Sequence, residues 1–347
     1  MKALDNEYDR VAVFSGGGTR FAIYCGMFAA MQDAGMSPDL IIGACGGAIA
    51  TTIINAFATN EERKSYLQSE ELYEFVRGTE LTDERMLYRI GWYCLKKMYS
   101  KGNAPYIEDV FSKYLVNTPE DLTTLLPTLS TETKTNIPSI IIGSKMLFDP
   151  SETGKVRNDR KLYKKVLFTD EITAQKINCE DIEIRSDNYI SGAIDPSIEI
   201  MTNVPMITAM RISVSDMFYV QPVHYRDHYF AGGAIDLIPM ELATAMGETI
   251  FFEKKSPYST MEESLVRAVL GYSGNERLKE ISNGNVQYWI DTRDATQALN
   301  GHYCKKNIDW AKFRISMSLP DSLEQFAEDM EIQWQYGYRK VMEQTGL

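Results

Sequence analysis

The stretch Leu40–Ala56, LIIGACGGAIATTIINA, joins two apolar runs through Gly43-Ala44-Cys45-Gly46-Gly47. A nucleophile on a sharp strand-to-helix turn has this layout, G-x-S-x-G, in which small residues leave room for a strained backbone. Here cysteine holds the serine position. A thiolate is a strong nucleophile, and a helix N-terminus lowers a thiol's pKa. Cys45 therefore reads as a candidate nucleophile, against the plainer alternative of a small, weakly apolar filler of the turn. A second stretch, Ser15-Gly16-Gly17-Gly18-Thr19-Arg20, sets glycines between a strand-like run and a helix-like run. Backbone N–H groups at such a junction stabilise anions. Two uses compete. A dinucleotide phosphate turn, G-x-G-x-x-G, needs a third glycine where bulky Phe21 stands, and an acidic partner for a ribose is not evident downstream. An oxyanion hole would aim the same N–H groups at a carbonyl oxygen. The elbow that follows favours the oxyanion hole, because a dinucleotide site has no use for one.

The elements that must hold these residues follow from hydrophobic patterning. Residues 10–15 (RVAVFS) read as a buried strand ending in a glycine turn, and 19–34 as a helix with Ile23, Met27 and Met31 on one face. Residues 39–43 and 46–58 repeat strand and helix. That alternation predicts a parallel sheet with helices on its faces. Residues 60–130 are charged and carry Tyr66, Tyr73, Phe75, Tyr88, Trp92 and Tyr93; they read as an inserted helical layer. PSIIIG at 138–143 restores a buried strand, and 149–161 is a polar loop. Residues 248–252, 286–291 and 313–318 read as further strands, with 261–282 helical between the first two. A long helix over 321–343 closes the chain, capped at Asp321 or Ser322, with Leu323, Phe326, Met330, Trp334 and Val341 along one stripe.

A third motif, Tyr229-Phe230-Ala231-Gly232-Gly233 followed by Ala234-Ile235-Asp236-Leu237-Ile238-Pro239, completes a pattern. The chain resembles the patatin-like phospholipase family, whose members show G-G-G-x-R/K, then G-x-S-x-G, then D-G-G/A. Here the series reads GGGTR, GACGG and AGG. A fourth block, Arg211-Ile212-Ser213-Val214-Ser215 through Gln221-Pro222-Val223, resembles the family's R-x-S-x-S…P-V segment, with Met217 where proline is usual. The resemblance runs from about Val11 to Pro239. It implies a three-layer α/β/α fold; the residue pattern itself gives the mainly parallel central sheet, a helical insertion at about 60–130 and a C-terminal α/β extension. The expected division is 8–247 for the patatin-like domain and 248–347, outside the resemblance, for an extension packed on it. The resemblance also implies a Ser–Asp dyad that attacks lipid acyl esters. Carried over, Cys45 takes the serine position, Ala231 takes the aspartate position, Gly16, Gly17, Gly18 and Arg20 form the oxyanion loop, and Gly43, Gly46 and Gly47 form the elbow.

Both dyad positions thus depart from the pattern while the glycines stay. Serine to cysteine alone preserves a nucleophile. Aspartate to alanine removes the base, and a lost general base costs about 10²–10⁴ in rate. Asp216, Asp227, His228 and Asp236 are the nearby candidates to replace it, and each has a plain reading as a turn or surface residue. The expectation is a degenerate site: an inactive binding or scaffold protein, with a Cys45-dependent phospholipase or acyltransferase using a non-standard base as the alternative. Cys25 reads as core.

Composition sets the outer limits. Of 347 residues, 44% are hydrophobic and 24% charged, which is ordinary for a globular chain, and the formal net charge is -12. So acidic a balance argues against nucleic acid as a partner and disfavours docking on anionic lipid. Lys96-Lys97 and Lys254-Lys255 read as solvated faces. No apolar run reaches the roughly 18 residues of a membrane span, and the polar opening MKALDNEYDR is unlike a secretory signal. Five widely spaced cysteines without a C-x-x-C pair fit a reducing cytoplasm better than a disulfide framework. Three histidines make a metal site an unfavoured reading, and no cofactor is expected. Partners are expected to be a lipid or acyl ligand, and a protein bound through the helical insertion or the extension.

Overall fold

The structure, a computed structural model, describes residues 7–86, 104–131, 135, 137–282, 284, 286–309 and 311–346. Its centre is one large sheet. The strands in chain order are β1 (Tyr8–Ser15), β2 (Leu40–Ala44), β3 (Glu80–Leu81), β4 (Val116–Asn117), β5 (Ser139–Met146), β6 (Tyr163–Phe168), β7 (Ile194–Met201), β8 (Val223–Tyr225), β9 (His228–Ala231), β10 (Gly247–Lys254), β11 (Tyr288–Asp291), β12 (Lys305–Asp309) and β13 (Arg314–Ser318). The spatial order is β11-β10-β1-β2-β5-β6-β7, with the β8–β9 hairpin attached to β5 through β9. The run β11-β10-β1-β2-β5 is parallel throughout; β5 meets β6 and β9 antiparallel.

Both faces of the sheet are covered, which is why its strands are near-continuous apolar runs. Along β1 the pleat sends Ala12 and Phe14 to one face and Val11 and Val13 to the other. The first face carries helix α1 (Ala22–Asp33), helix α2 (Gly46–Ala56), Met206–Ser213 and the C-terminal helix Leu323–Thr345. The second carries Met240–Met246, Thr260–Val269 and Gly274–Ile281. This is the three-layer α/β/α arrangement expected.

The C-terminal helix is capped by the Ser322 hydroxyl, which accepts the Gln325 N–H at 3.2 Å. It lies against α1 so closely that a Cβ on Gly26 would stand 2.1 Å from the Trp334 carbonyl oxygen. Residues from 247 onward therefore build part of the sheet (β10, β11) and part of both its helical layers.

One expectation needs correcting. The segment 60–130 is not helical throughout. Its described part holds the helices Asn60–Leu67 and Glu70–Arg77, each started by a side-chain cap from Thr59 or Ser69, a single-turn helix at Pro127–Ser130, and the small β3–β4 pair. Residues 104–126 are otherwise turns and loop. Tyr88, Trp92, Tyr93, Cys94 and Lys96-Lys97 lie outside the described residues. Among the described residues, no helix is long and apolar enough to cross a membrane.

Candidate active site

The elbow is built by close packing of backbone on backbone. β2 ends at Ala44, α2 begins at Gly46, and Cys45 between them takes φ 51°, ψ -120°. A non-glycine residue at positive φ is under strain and persists only where its surroundings enforce it. The enforcement is visible. A Cβ on Gly47 would stand 1.8 Å from the Phe14 carbonyl oxygen, and one on Gly46 would stand 2.4 Å from the Gly16 oxygen. Helix α2 thus starts directly against β1 and against the glycine loop.

The loop itself runs through three consecutive positive-φ glycines, Gly16 at 67°, Gly17 at 90° and Gly18 at 55°. The Gly16 N–H donates to the Ala44 carbonyl at 2.8 Å, which fastens the loop to the elbow. Among the described residues, the Gly17 and Gly18 N–H groups have no acceptor. Arg20 turns back on the loop, its backbone N–H donating to the Gly17 oxygen at 3.1 Å. Its guanidinium lies 5.6 Å from the centre of the Tyr303 ring.

A carboxylate does stand at the site, from one of the four candidates for which the sequence favours the plainer reading. The carboxylate whose charge and hydrogen-bonding capacity act on the Cys45 thiol is that of Asp216. Asp216 was read as a turn or surface residue; instead it is partly buried, and its Oδ1 accepts the Ala234 N–H at 3.0 Å. A Cβ on Gly232 would stand 2.3 Å from that same oxygen. The carboxylate therefore sits against the Ala231-Gly232-Gly233 turn, reached from the neighbouring segment. Ala231 is fully buried, paired with Ser144 across β9–β5 and packed among apolar side chains.

The other candidates fall away from the site. Asp236 is buried in an ion pair with Lys165 at 3.0 Å. Asp227 lies in the β8–β9 hairpin turn, where it and Arg226 both have positive φ, and both it and His228 are exposed. Cys25 is buried in the core, as expected.

The fourth sequence block is the frame for this contact. Ser213 Oγ accepts the Cys45 N–H at 2.9 Å and donates to the Ile142 carbonyl at 2.6 Å. The Ser215 carbonyl accepts the Gly232 N–H at 2.7 Å. Arg211, fully buried, donates to the carbonyls of Thr118 and Pro119 at 2.8 and 2.6 Å and to the Ser215 hydroxyl. One short segment thus ties elbow, Gly232 turn and insertion together and places Asp216 between them. The sequence signal was an acidic residue next to R-x-S-x-S, at a position with no reason of its own to be charged.

Electrostatics follow from burial. Desolvation raises the Asp216 carboxyl to about 6, opposed by the Cys45 thiol, by the Ala234 N–H hydrogen bond and by the charge of Lys255. The Cys45 thiol is held well above its ordinary value, by burial first and by the Asp216 charge second, with the Gly46 N–H and Lys255 working the other way. At neutral pH the pair is therefore thiol plus carboxylate: an acid beside a base. Lys255 itself is not a solvated lysine, as the sequence suggested. Its ammonium pairs with Glu253 at 3.0 Å, donates to the Tyr24 hydroxyl at 3.2 Å, and would stand 2.9 Å from a Cβ on Gly16.

Over the other side of the site, Lys306 on β12 places its ammonium 4.1 Å from the centre of the Tyr219 ring. The Thr19 hydroxyl donates to the Cys304 carbonyl at 3.3 Å. The chain at Cys304–Lys306 thus reaches both the glycine loop and the Asp216 segment.

Comparison with known proteins agrees with this architecture. The profile of the Patatin-like phospholipase family matches residues 12–244, and the chain belongs to that family. A solved structure, VipD from Legionella pneumophila, is similar over 97% of this chain and 67% of that one, at 12% identity and a TM-score of 0.35. No curated protein matches the sequence.

Proposed function

We propose that this patatin-like protein is a lipid acyl hydrolase or acyltransferase in which Cys45 is the nucleophile and Asp216 the base. The observation that carries the reading is the partly buried Asp216 carboxylate acting on the Cys45 thiol, beside two loop N–H groups that have no acceptor among the described residues. In this reading Asp216 takes the thiol proton as the sulfur adds to the ester carbonyl. The oxyanion is received by the N–H groups of Gly17 and Gly18, with Gly16 and Arg20 fixing the loop. Collapse breaks the ester C–O bond, and the protonated Asp216 returns its proton to the leaving alcohol. Water or another acceptor then attacks the thioester, with Asp216 again taking the proton, and the thiol is restored. Gly43, Gly46 and Gly47 hold the turn that presents the sulfur.

The test uses the purified chain with p-nitrophenyl esters and mixed phospholipid vesicles. Cys45→Ala should abolish turnover, and Asp216→Asn should lower it by about 10²–10⁴. Hydrolysis that survives Cys45→Ala defeats the assignment.

A second reading, binding or scaffolding without turnover, is favoured by the protonated, desolvated thiol. It predicts no ester hydrolysis by the native chain and no labelling of Cys45 by a thiol probe at neutral pH. Protein contacts would then fall to the insertion or to the extension that reaches the site. In either reading we take 8–247 as the patatin-like domain and 248–347 as its extension. The cysteines, free where described, suit the cytoplasm.

A further inference from the structure

In open α/β sheets, ligands settle in the crevice beyond the carboxyl ends of the strands. Beyond the ends of β1, β10 and β11 lie two chambers of about 370 and 280 Å³ that share Ile238, Glu253, Lys255, Pro257, Leu278 and Arg293 in their walls. Their size suits a small organic ligand. The larger chamber has a mostly apolar wall, with Phe252, Leu278, Ile281 and Trp289. The smaller one ends on Gly16, Gly17 and Arg20.

Two observations mark the chambers as a site. Ser15, the last residue of β1, is 1% exposed, and its hydroxyl has no hydrogen-bond partner. By the pleat of β1 its side chain falls on the face of Val11 and Val13, where Phe252 and Ile238 lie, and it lines the larger chamber. A buried hydroxyl without a partner is destabilising, so an orphan at a cavity wall points to a polar atom that arrives there. The second is charge. Around the two chambers stand Arg20, Lys254, Lys255, Lys279 and Arg293, against the carboxylates Glu253 and Glu262, in a chain of net charge -12. Glu253 is engaged by Lys255, and Arg293 by Asp291. Among the described residues, Lys254 and Lys279 have no carboxylate within ion-pair reach.

We infer that these chambers, which are lined by neither Cys45 nor Asp216 but adjoin their site through Gly16, Gly17 and Lys255, form a binding site for an anion carried on an apolar chain: a free carboxylate or a phosphate monoester with an alkyl tail. The apolar wall takes the tail. The lysine and arginine rim takes the anion, and the Ser15 hydroxyl offers a donor at the wall. The site does not depend on Cys45 being a nucleophile.

Isothermal titration of the full chain tests it, with decanoate, decyl phosphate, decanol and inorganic phosphate as separate probes. Decanoate or decyl phosphate should bind, and which of the two is tighter names the headgroup. Decanol and inorganic phosphate should each bind at least tenfold more weakly. Lys279→Gln with Arg293→Gln should weaken the tighter amphiphile at least tenfold, and Leu278→Trp, which fills the shared wall, should abolish binding. Arg293→Lys keeps the charge and should bind as the native chain does, which guards against misreading an unfolded double variant. The inference is overturned if neither amphiphile binds, if decanol or inorganic phosphate binds as tightly, or if folded Leu278→Trp binds like the native protein.

Discussion

The elbow and the Gly232 turn face one another across the site, yet they keep their form by different means. At the elbow the tightest constraints are steric. Gly46 and Gly47 meet backbone atoms, and the turn has no room for other residues. At the Gly232 turn the tight packing is around a carboxylate, and the carboxylate belongs to another segment. A backbone geometry can be made only by the residues that form it. A charge needs only to arrive at the right point, and any neighbouring segment can deliver it.

The largest effect should come from the steric side. Gly47→Ala puts a methyl 1.8 Å from a carbonyl oxygen of β1, in contact with backbone that no rotamer change can clear. We expect a loss above about 4 kcal/mol, or no soluble protein, read by denaturant unfolding. A mild loss would mean that elbow and β1 are less tightly coupled than their packing requires. Next comes the mobile charge. In Asp216→Asn, where turnover is expected to fall by about 10²–10⁴, adding Ala231→Asp should recover at least roughly tenfold, since Ala231 adjoins the same turn. If the double variant stays at the level of the single one, the two positions are not interchangeable sources of the carboxylate.

The same contrast explains what could be read from the sequence. The strand-helix alternation, the glycine loop, the elbow and the long capped helix at the end were legible because each is a local pattern: apolar runs, positive-φ glycines, a serine cap. Asp216 was not, because its role depends on Arg211 and Ser215 bringing the segment to Gly232, and long-range hydrogen bonds leave no period in a sequence. The insertion was misread for a related reason. Aromatic and charged residues suit helix and irregular packing alike, and tertiary contacts decide. Lys255 looked like surface because a lysine beside another lysine usually is, and only the fold brings the Gly16 loop to it.

Burial of the carboxylate gives a third, smaller effect with a definite sign. The folded Asp216 carboxyl is raised from 3.8 to about 6. Between those values the folded protein holds a proton that the unfolded chain has released, so stability falls as pH rises through this window. The loss is complete above about pH 6 and is on the order of 1–3 kcal/mol. Unfolding measured at pH 4.5 and 7.5 should show it, and Asp216→Asn should remove it, leaving the variant more stable than the native chain at pH 7.5. Activity should move oppositely, rising through about pH 6 as the base ionises. A native chain whose stability difference between those pH values equals that of Asp216→Asn would show that the carboxylate is solvated in solution.

The smallest effect isolates backbone conformation from crowding. Gly18 has φ 55°, but a Cβ placed on it meets nothing within 4 Å. Gly18→Ala therefore carries only the left-handed penalty of an L-residue, about 1–2 kcal/mol. Because alanine keeps the N–H, an oxyanion donor at this position should survive, and ester turnover should fall less than about tenfold. Set beside Gly47→Ala, this variant separates the two reasons a glycine can be required in one site. A cost comparable to that of Gly47→Ala would mean that the loop around Gly18 closes more tightly than an open Cβ position allows. A turnover loss as deep as that of Asp216→Asn, with stability intact, would instead place the oxyanion contact on the exact path of the Gly18 N–H and make loop geometry, rather than the carboxylate, the more demanding half of the site.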